Sequence, residues 1–405
     1  MRIGFDVSQT GALRAGCGTV SYSLLQELAE IDSNNQYLLY PTFGDQFWDE
    51  KWKGNTILPL RYNFQRGLHH HNYNDWRRFW QNPPADLEHR LGAPDIIHSH
   101  NFYCPPPLRR ARLVYTLHDI GFIDHPEWTT EQNRIGCFRG AFQASLYADL
   151  IVAVSGFTRQ HYLSVFPHVD PERVKVLPLA SRFTDRDPIA CPPRLEPYSG
   201  QDFLLAVGTL EPRKNYARLA EAYAQVLRNK PDMPPLLIAG GTGWMFEGFS
   251  KLLTELGIAD HVTMLGFSSD AELRWLMQNC TIFLYPSYWE GFGLPVIEAL
   301  SQGACVVTSK SSSLPEVAGD AAILVDPHDP ADIAAAIERL LADPALRQEF
   351  AARAVQQAAR FSWRRSAENL LGHYTELLQQ PKIAHSALPQ QQPGIWQKFL
   401  QAFKR

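Results

Sequence analysis

The chain lacks paired cysteines. Its six, Cys17, Cys104, Cys137, Cys191, Cys280 and Cys305, form no CxxC and no metal-ligand spacing, and Cys280 and Cys305 lie inside apolar runs. This excludes a zinc ribbon and a disulfide-framed secreted domain, and it predicts buried, reduced thiols in the cytosol. No stretch reaches the ~18 consecutive apolar residues of a membrane span. The start, MRIGFDVSQTG, has no apolar core of signal-peptide length. The expectation is a cytoplasmic protein in which nothing crosses a membrane. Nor is there an excess of one charge, since 38 Lys and Arg stand against 42 Asp and Glu, a formal net charge of −4. That excludes a general attraction to nucleic acid or to an anionic surface.

What is present is a long alternation. At 405 residues the chain exceeds what one hydrophobic core usually organises, so two domains are expected. Strands are predicted at 2–7, 95–100, 113–118, 150–155 and 174–179, then at 203–208, 235–240, 261–266, 281–286 and 304–309. Such short apolar runs suit a parallel sheet covered on both faces. Helices are predicted at 19–31, 215–229, 270–279 and 330–343. Strand, helix, strand in this order implies α/β domains with right-handed crossovers. The pattern stops in SRFTDRDPIACPPRLEPYSGQ, which reads as an interdomain connection. The division is then 1–180, a connector at 181–200, and a second domain at 201–361. Two doubly wound, Rossmann-like domains would face each other across a cleft, with ligands beyond the carboxyl ends of the strands.

The most informative stretch is YPSYWEGFGLPVIEALSQGACVVTS, 285–309. An apolar strand ends, Gly291 and Gly293 allow a sharp turn and a close ligand, and Pro295 suits the first turn of a helix. Glu290 lies in the loop and Glu298 about one turn into the helix, whose free N–H groups form an anion site. Two carboxylates on either side of a bound phosphate would each accept from the hydroxyls of one sugar. Taken alone, Glu298 could equally complement the helix dipole and Glu290 be solvated. The strand end, glycines and proline agree on one site. In VGTLEPRKN, 207–215, Arg213 and Lys214 stand before a helix, where cations are unfavourable unless an anion sits beside them. A solvated basic turn is the alternative.

EGFGLPVIE (290–298), GTLEPRKN (208–215), GTGW (241–244) and SLPEVAGDAAILVDP (313–327) together resemble glycosyltransferase family 4, over roughly residues 1–380. The resemblance implies the GT-B fold and transfer of a sugar from a nucleotide-sugar with retention of configuration. It implies that Glu290 contacts the donor sugar, that Phe292, Gly293 and Leu294 meet sugar and phosphate through their backbone, and that Glu298 holds the ribose. Arg213 and Lys214 would bind the diphosphate, and Gly208 and the loop at Gly266 and Phe267 would lie along the nucleotide. In RAGCGTVSYSLLQEL (14–28), Gly16 and Gly18 would let donor and acceptor approach the backbone, and in LHDIGF (117–122) His118 and Asp119 would lie beside the reacting sugar. The helix at 362–380 would cross back to the first domain. One departure is Thr209, where many members carry Arg after the glycine, so Arg213 is expected to supply that charge.

The motifs resemble bacterial mannosyltransferases of O-antigen and exopolysaccharide assembly. The expected donor is therefore GDP-mannose, with a UDP-sugar as alternative, and the acceptor a glycan or lipid-linked glycan. A nucleotide-sugar epimerase of the same fold and a non-enzymatic sugar binder are the readings from other classes. No cofactor or metal is expected, because the cations and the helix N-terminus can take up the phosphate charge. Asp185-Arg186-Asp187 is read as a coincidental DxD, and His69, His70 and His71 as unable to converge on one ion. The aromatic segment 60–84 is an acceptor-side loop or simple packing. Ser313 and Glu316 read as a capping box, and Glu211 as shaping its loop. In the tail, GIWQKFLQAFKR (394–405), one apolar face suits either an anionic membrane or the protein itself.

Overall fold

A computed structural model describes residues 1–11, 14, 16–45, 61–68, 73–241, 243 and 248–383. The His69–His71 run, Trp244 and the tail 394–405 lie outside the described residues. Among those described, thirteen strands form two sheets. The first contains β1 (Arg2–Asp6), β2 (Gln36–Tyr40), β3 (Phe64–Arg66), β4 (Ile96–Ser99), β5 (Arg112–Leu117), β6 (Leu150–Ala153) and β7 (Val174–Val176), in the order 3-2-1-4-5-6-7. The second contains β8 (Leu204–Val207), β9 (Leu236–Ala239), β10 (Val262–Gly266), β11 (Ile282–Tyr285), β12 (Val306–Ser309) and β13 (Ala322–Val325), in the order 10-9-8-11-12-13. Every pairing is parallel.

The central strands are buried along their whole length, as in IIHS, LIVA, LLAV and IFLY. Such strands need helices on both faces. The helix Gly16–Ile31 provides one, burying Val20, Leu24, Leu25 and Leu28 on a single stripe. The final helix, Trp363–Gln379, packs along it with Ala367, Leu370, Tyr374 and Leu377 inward. The Tyr374 hydroxyl reaches His98 Nδ1 at 2.5 Å, and Ser366 donates to the Pro178 carbonyl at 2.6 Å. Full burial of a leucine such as Leu25 is worth ~2 kcal/mol, so Leu25→Ala would loosen this seam.

Three strands and several helices escape the sequence pattern. β2, β3 and β13 are three to five residues long and sit toward the sheet edges, where half-exposure breaks the apolar run. The helix Glu131–Tyr147 buries Gly136, Gly140, Ala141, Ala144 and Ser145, a stripe too small to register as hydrophobic period. Gly140 is required there, because a Cβ would lie 1.6 Å from the Phe102 carbonyl oxygen. In the described part of the aromatic segment Trp76 and Trp80 are buried, Trp80 lies 4.6 Å from the Phe43 ring, and its indole donates to the Thr42 carbonyl at 2.6 Å. The connector is ordered on the second domain, where Leu195 is fully buried and Arg194 donates to the carbonyls of Leu265 and Phe267.

Candidate active site

The strand order of the second sheet reverses between β8 and β11, and a crevice opens beyond the carboxyl ends of strands at such a point. The loop 208–215 enters it from β8 and the loop 286–293 from β11. They are tied together. The Tyr288 amide and Ser287 hydroxyl donate to the Arg213 carbonyl at 2.9 and 3.0 Å, and the Asn215 side chain donates to the Pro286 carbonyl at 2.8 Å. Asn215 has φ 62°, a left-handed turn that asparagine tolerates, and it leads into the helix Tyr216–Asn229. Gly208 has φ 145°, and a side chain there would crowd Lys214 Cε at 3.4 Å.

Glu290 is the centre of the junction. Its buried carboxylate accepts from Arg213 Nη1 at 2.5 Å, Lys214 Nζ at 2.8 Å, the Ser287 hydroxyl at 2.7 Å and the Tyr285 hydroxyl at 2.8 Å. Glu211, also buried, takes the other arm of Arg213 at 2.6 Å, and the Trp289 carbonyl accepts from Arg213 at 2.7 Å. Burial alone would raise the Glu290 carboxyl, but Arg213 and Lys214 outweigh it and hold it at about 2. Burial and the neighbouring Arg213 push Lys214 down. Against burial, Glu290 and Glu211 keep Arg213 well above its ordinary range. Two cations and two carboxylates thus neutralise one another. An entering anion can take over the cations and leave the Glu290 oxygens to accept from hydroxyls.

The backbone around Glu290 is held by hydroxyls from the end of β12 and the loop that follows it. Thr308 donates to the Tyr285 carbonyl at 2.9 Å, Ser309 to that of Ser287 at 2.6 Å and Ser311 to that of Tyr288 at 3.0 Å. Ser312 accepts from the Glu290 amide at 3.0 Å, and Ser313 donates to the carbonyls of Glu290 and Phe292 at 2.8 and 2.9 Å. The expected capping box at Ser313 and Glu316 is therefore absent: the Ser313 hydroxyl makes no cap bond, being committed to the Glu290 loop. Glu316 instead accepts from the amides of Gly156 and Phe157, in the other domain, at 3.0 and 3.2 Å.

Gly293, at φ 103°, caps the helix Leu294–Ser301, which carries Pro295 in its first turn. Leu294 opens that helix, while the Phe292 ring turns into the core, 5.6 Å from Phe361. Glu298 is buried in a different set of charges. Its carboxylate lies 3.0 Å from Arg182 Nε, and Arg182 Nη1 lies 3.0 Å from Asp270, which Arg14 also approaches at 3.5 Å. Burial raises the Glu298 carboxyl and Arg182 opposes only part of it, leaving it at about 7. Phe267, 58% exposed, stands at the carboxyl end of β10 beside Gly266, at the outer rim of the same sheet edge.

From the first domain, His118 follows β5 and donates through Nε2 to the His100 carbonyl at 2.7 Å. Burial pushes this histidine below its ordinary value, which keeps the ring neutral with its lone pair on Nδ1. Asp119 accepts from the Gly121 amide at 3.1 Å. This strand end meets the Glu290 loop directly: a Cβ on Gly291 would lie 1.8 Å from the His118 carbonyl oxygen and 3.0 Å from Asp119 Cβ. At Gly16, which opens its helix, a methyl would meet no described residue within 4 Å, whereas a Cβ on Gly18 would lie 2.0 Å from the Gln9 carbonyl. The close neighbour that Gly18 accommodates is thus the chain itself, which by itself accounts for the glycine.

The structure therefore brings His118, Asp119, Arg213, Lys214 and Glu290 to one place and sets Glu298 apart with Arg182. Sequence reasoning did not single out Tyr285, Ser287, Arg182, Asp270 or the β12 hydroxyls, and it gave Glu211 only a loop. The DxD is structural: Asp185 pairs with Arg274 at 3.2 Å and accepts from the Asp187 amide.

Residues 15–180 match Glycosyltransferase Family 4, and residues 192–357 match Glycosyl transferases group 1. The chain is 36% identical over 284 residues to the O-antigen chain mannosyltransferase B of Escherichia coli, covering 69% of this chain and 74% of that protein. It is 35% identical over 180 residues to the serotype-specific mannosyltransferase WbdA of Escherichia coli, covering 44% of this chain and 22% of that protein. Among solved structures, Anabaena Alr3699/HepE in complex with UDP-glucose superposes with a TM-score of 0.68 at 18% identity, covering 93% of this chain and 100% of that one. The shared fold is GT-B.

Proposed function

The chain belongs to glycosyltransferase family 4, and on that premise we propose that it moves a mannosyl residue from GDP-mannose to a glycan or lipid-linked glycan, with retention at the anomeric carbon. The observation that carries this reading is the neutral junction of Arg213, Lys214, Glu211 and Glu290 at the sheet reversal. The diphosphate displaces the carboxylates from Arg213 and Lys214, which then stabilise its charge as it leaves. The helix N-terminus at Gly293 and Leu294 adds partial positive charge, so the cations and this dipole serve in place of a metal. Glu290, once released, accepts from the donor sugar, and Glu298 from the ribose hydroxyls. The nucleotide then runs along the sheet edge past Gly208 toward Phe267, and His118 and Asp119 face the sugar from the first domain. The bond from the anomeric carbon to the phosphate oxygen breaks as the acceptor oxygen bonds on the same face. The acceptor proton passes to the leaving phosphate.

Thermal shift with GDP, UDP and ADP, on the protein and on Glu298→Ala, tests the donor. Stabilisation by GDP that is lost in the variant, followed by GDP release from GDP-mannose only with a mannose-terminated acceptor, supports the reading. Stabilisation by UDP alone moves the assignment to a UDP-sugar, the second reading, which the UDP-glucose bound to the Anabaena protein favours. Trapping a covalent sugar adduct in a single turnover would rule out the same-face displacement. Isomerisation of the donor without acceptor would identify an epimerase.

A further inference from the structure

The loop that carries Glu290 is gripped from the first domain as well as from its own. The helix Gly156–Val165 points its N-terminus at this loop, and its cap residue, Ser155, uses its hydroxyl twice. It accepts from the Thr158 amide at 3.0 Å and donates to the Gly291 carbonyl at 2.6 Å. The Thr158 hydroxyl donates to the same carbonyl at 2.9 Å, so both lone pairs of that oxygen are engaged. Both side chains are buried. The next two amides of the helix, Gly156 and Phe157, hold the Glu316 carboxylate, an anion at the end of the helix where its dipole favours one.

Two further contacts bracket Glu290. On one side Gly291 presses against the His118 carbonyl so closely that only glycine fits. On the other side the Trp289 indole packs edge-on against both Phe157 and His161, each 4.9 Å away, and against Gly121, where a Cβ would come within 2.7 Å of Nε1. The first domain therefore packs against the Trp289 side chain and binds the Gly291 carbonyl, on either side of Glu290, while the carboxylate is held by the cations of the second domain. Without the first domain in place, the Ser155 and Thr158 hydroxyls and the Gly291 carbonyl would return to water.

We propose that the N-terminus of the helix Gly156–Val165 is a clip that sets the Glu290 loop when the domains close, with Ser155 and Thr158 as positioning residues for transfer. The proposal rests on the glycosyltransferase reading above. It predicts a division of labour in which nucleotide affinity belongs to the second domain alone and turnover depends on the clip.

Thr158→Val tests it, because valine keeps the shape and the Ser155 cap while removing one donor. Three quantities are measured on the full chain: GDP affinity by calorimetry, the rate of GDP release from GDP-mannose with a mannose-terminated acceptor, and the radius of gyration by X-ray scattering with GDP. Thr158→Val should leave GDP affinity within about twofold, lower turnover by roughly tenfold and enlarge the particle, as the loss of one buried hydrogen bond implies. Thr158→Ser should restore turnover and particle size. Gly291→Ala, which forces the domains apart by its methyl, should open the particle further while GDP still binds. Turnover and scattering unchanged in Thr158→Val, or GDP affinity falling in step with turnover, would overturn the clip. If GDP does not bind the unaltered protein, the donor reading fails, and scattering of Gly291→Ala without nucleotide still decides whether the contact holds the domains.

Discussion

Glu298 is a carboxylate whose surroundings and proposed task disagree about its charge. Removal from water raises it, Arg182 offsets part of the rise and Asp270 adds to it, so it titrates at about 7 and not at its ordinary 4.5. The folded protein thus keeps a proton that the unfolded chain has released. A folded value above the unfolded one means that the group's contribution to stability is whole below 4.5 and is lost as pH rises through about 7. That interval corresponds to ~3 kcal/mol, at ~1.4 kcal/mol for each tenfold change in proton affinity. Glu298→Gln keeps the shape, has no proton to lose, and leaves Arg182 paired with Asp270 at 3.0 Å. Urea unfolding of both proteins at about pH 5 and about pH 8.5 should show the variant gaining ~1–3 kcal/mol on the wild type between the two. Ribose hydroxyls donate to a carboxylate, so GDP affinity of the wild type should rise through the same window while that of the variant stays flat. Parallel stability curves for the two proteins would refute the reasoning.

Other perturbations discriminate among the remaining roles. Arg213→Lys removes a fork that reaches Glu211, Glu290 and the Trp289 carbonyl at once, so turnover should drop by roughly 10- to 100-fold in a nucleotide-release assay. Glu211→Gln leaves Arg213 its other partners, and a smaller loss, about threefold to tenfold, is expected in the same assay. Gly18→Ala drives a methyl into the Gln9 carbonyl and should destabilise the fold by ~1–3 kcal/mol in thermal melts. Gly16→Ala places its methyl where no described residue lies within 4 Å, so melting should not fall, and the proposed approach of the donor to Gly16 predicts a raised donor KM.

Much of the fold was legible because its signals are local. Runs such as LLAV and IFLY are continuous and wholly buried, and each ends in a glycine or proline loop that the sequence displays. The same locality made Arg213, Lys214 and Glu290 visible, since each lies within a few residues of a strand end. The partners that fix them are distant in sequence. Ser312 is 22 positions from Glu290, Arg182 is 116 from Glu298 and Gly156 is 160 from Glu316. No spacing rule reaches across a domain boundary. Ser313 and Glu316 illustrate the failure, because the residues of a capping box are present but both side chains are committed elsewhere. The helix Glu131–Tyr147 was hidden for another reason, its buried face being made of glycine, alanine and serine.

The row of hydroxyls from Thr308 to Ser313 has a consequence for how this site can change. These side chains bond to the backbone of 285–292, and backbone atoms are the same whatever side chain the position bears. The loop's shape is thereby stored in one segment and its chemistry in another. A library that randomises half-exposed Tyr288 should return many active proteins, since the hydroxyls hold that stretch of backbone through its carbonyls and not through the Tyr288 side chain. A library over Ser309, Ser312 and Ser313 should return few, even though none of these hydroxyls bears charge. Directed evolution toward a new donor sugar has room at loop positions such as Tyr288, provided that the template, Glu290 and the two glycines are left alone.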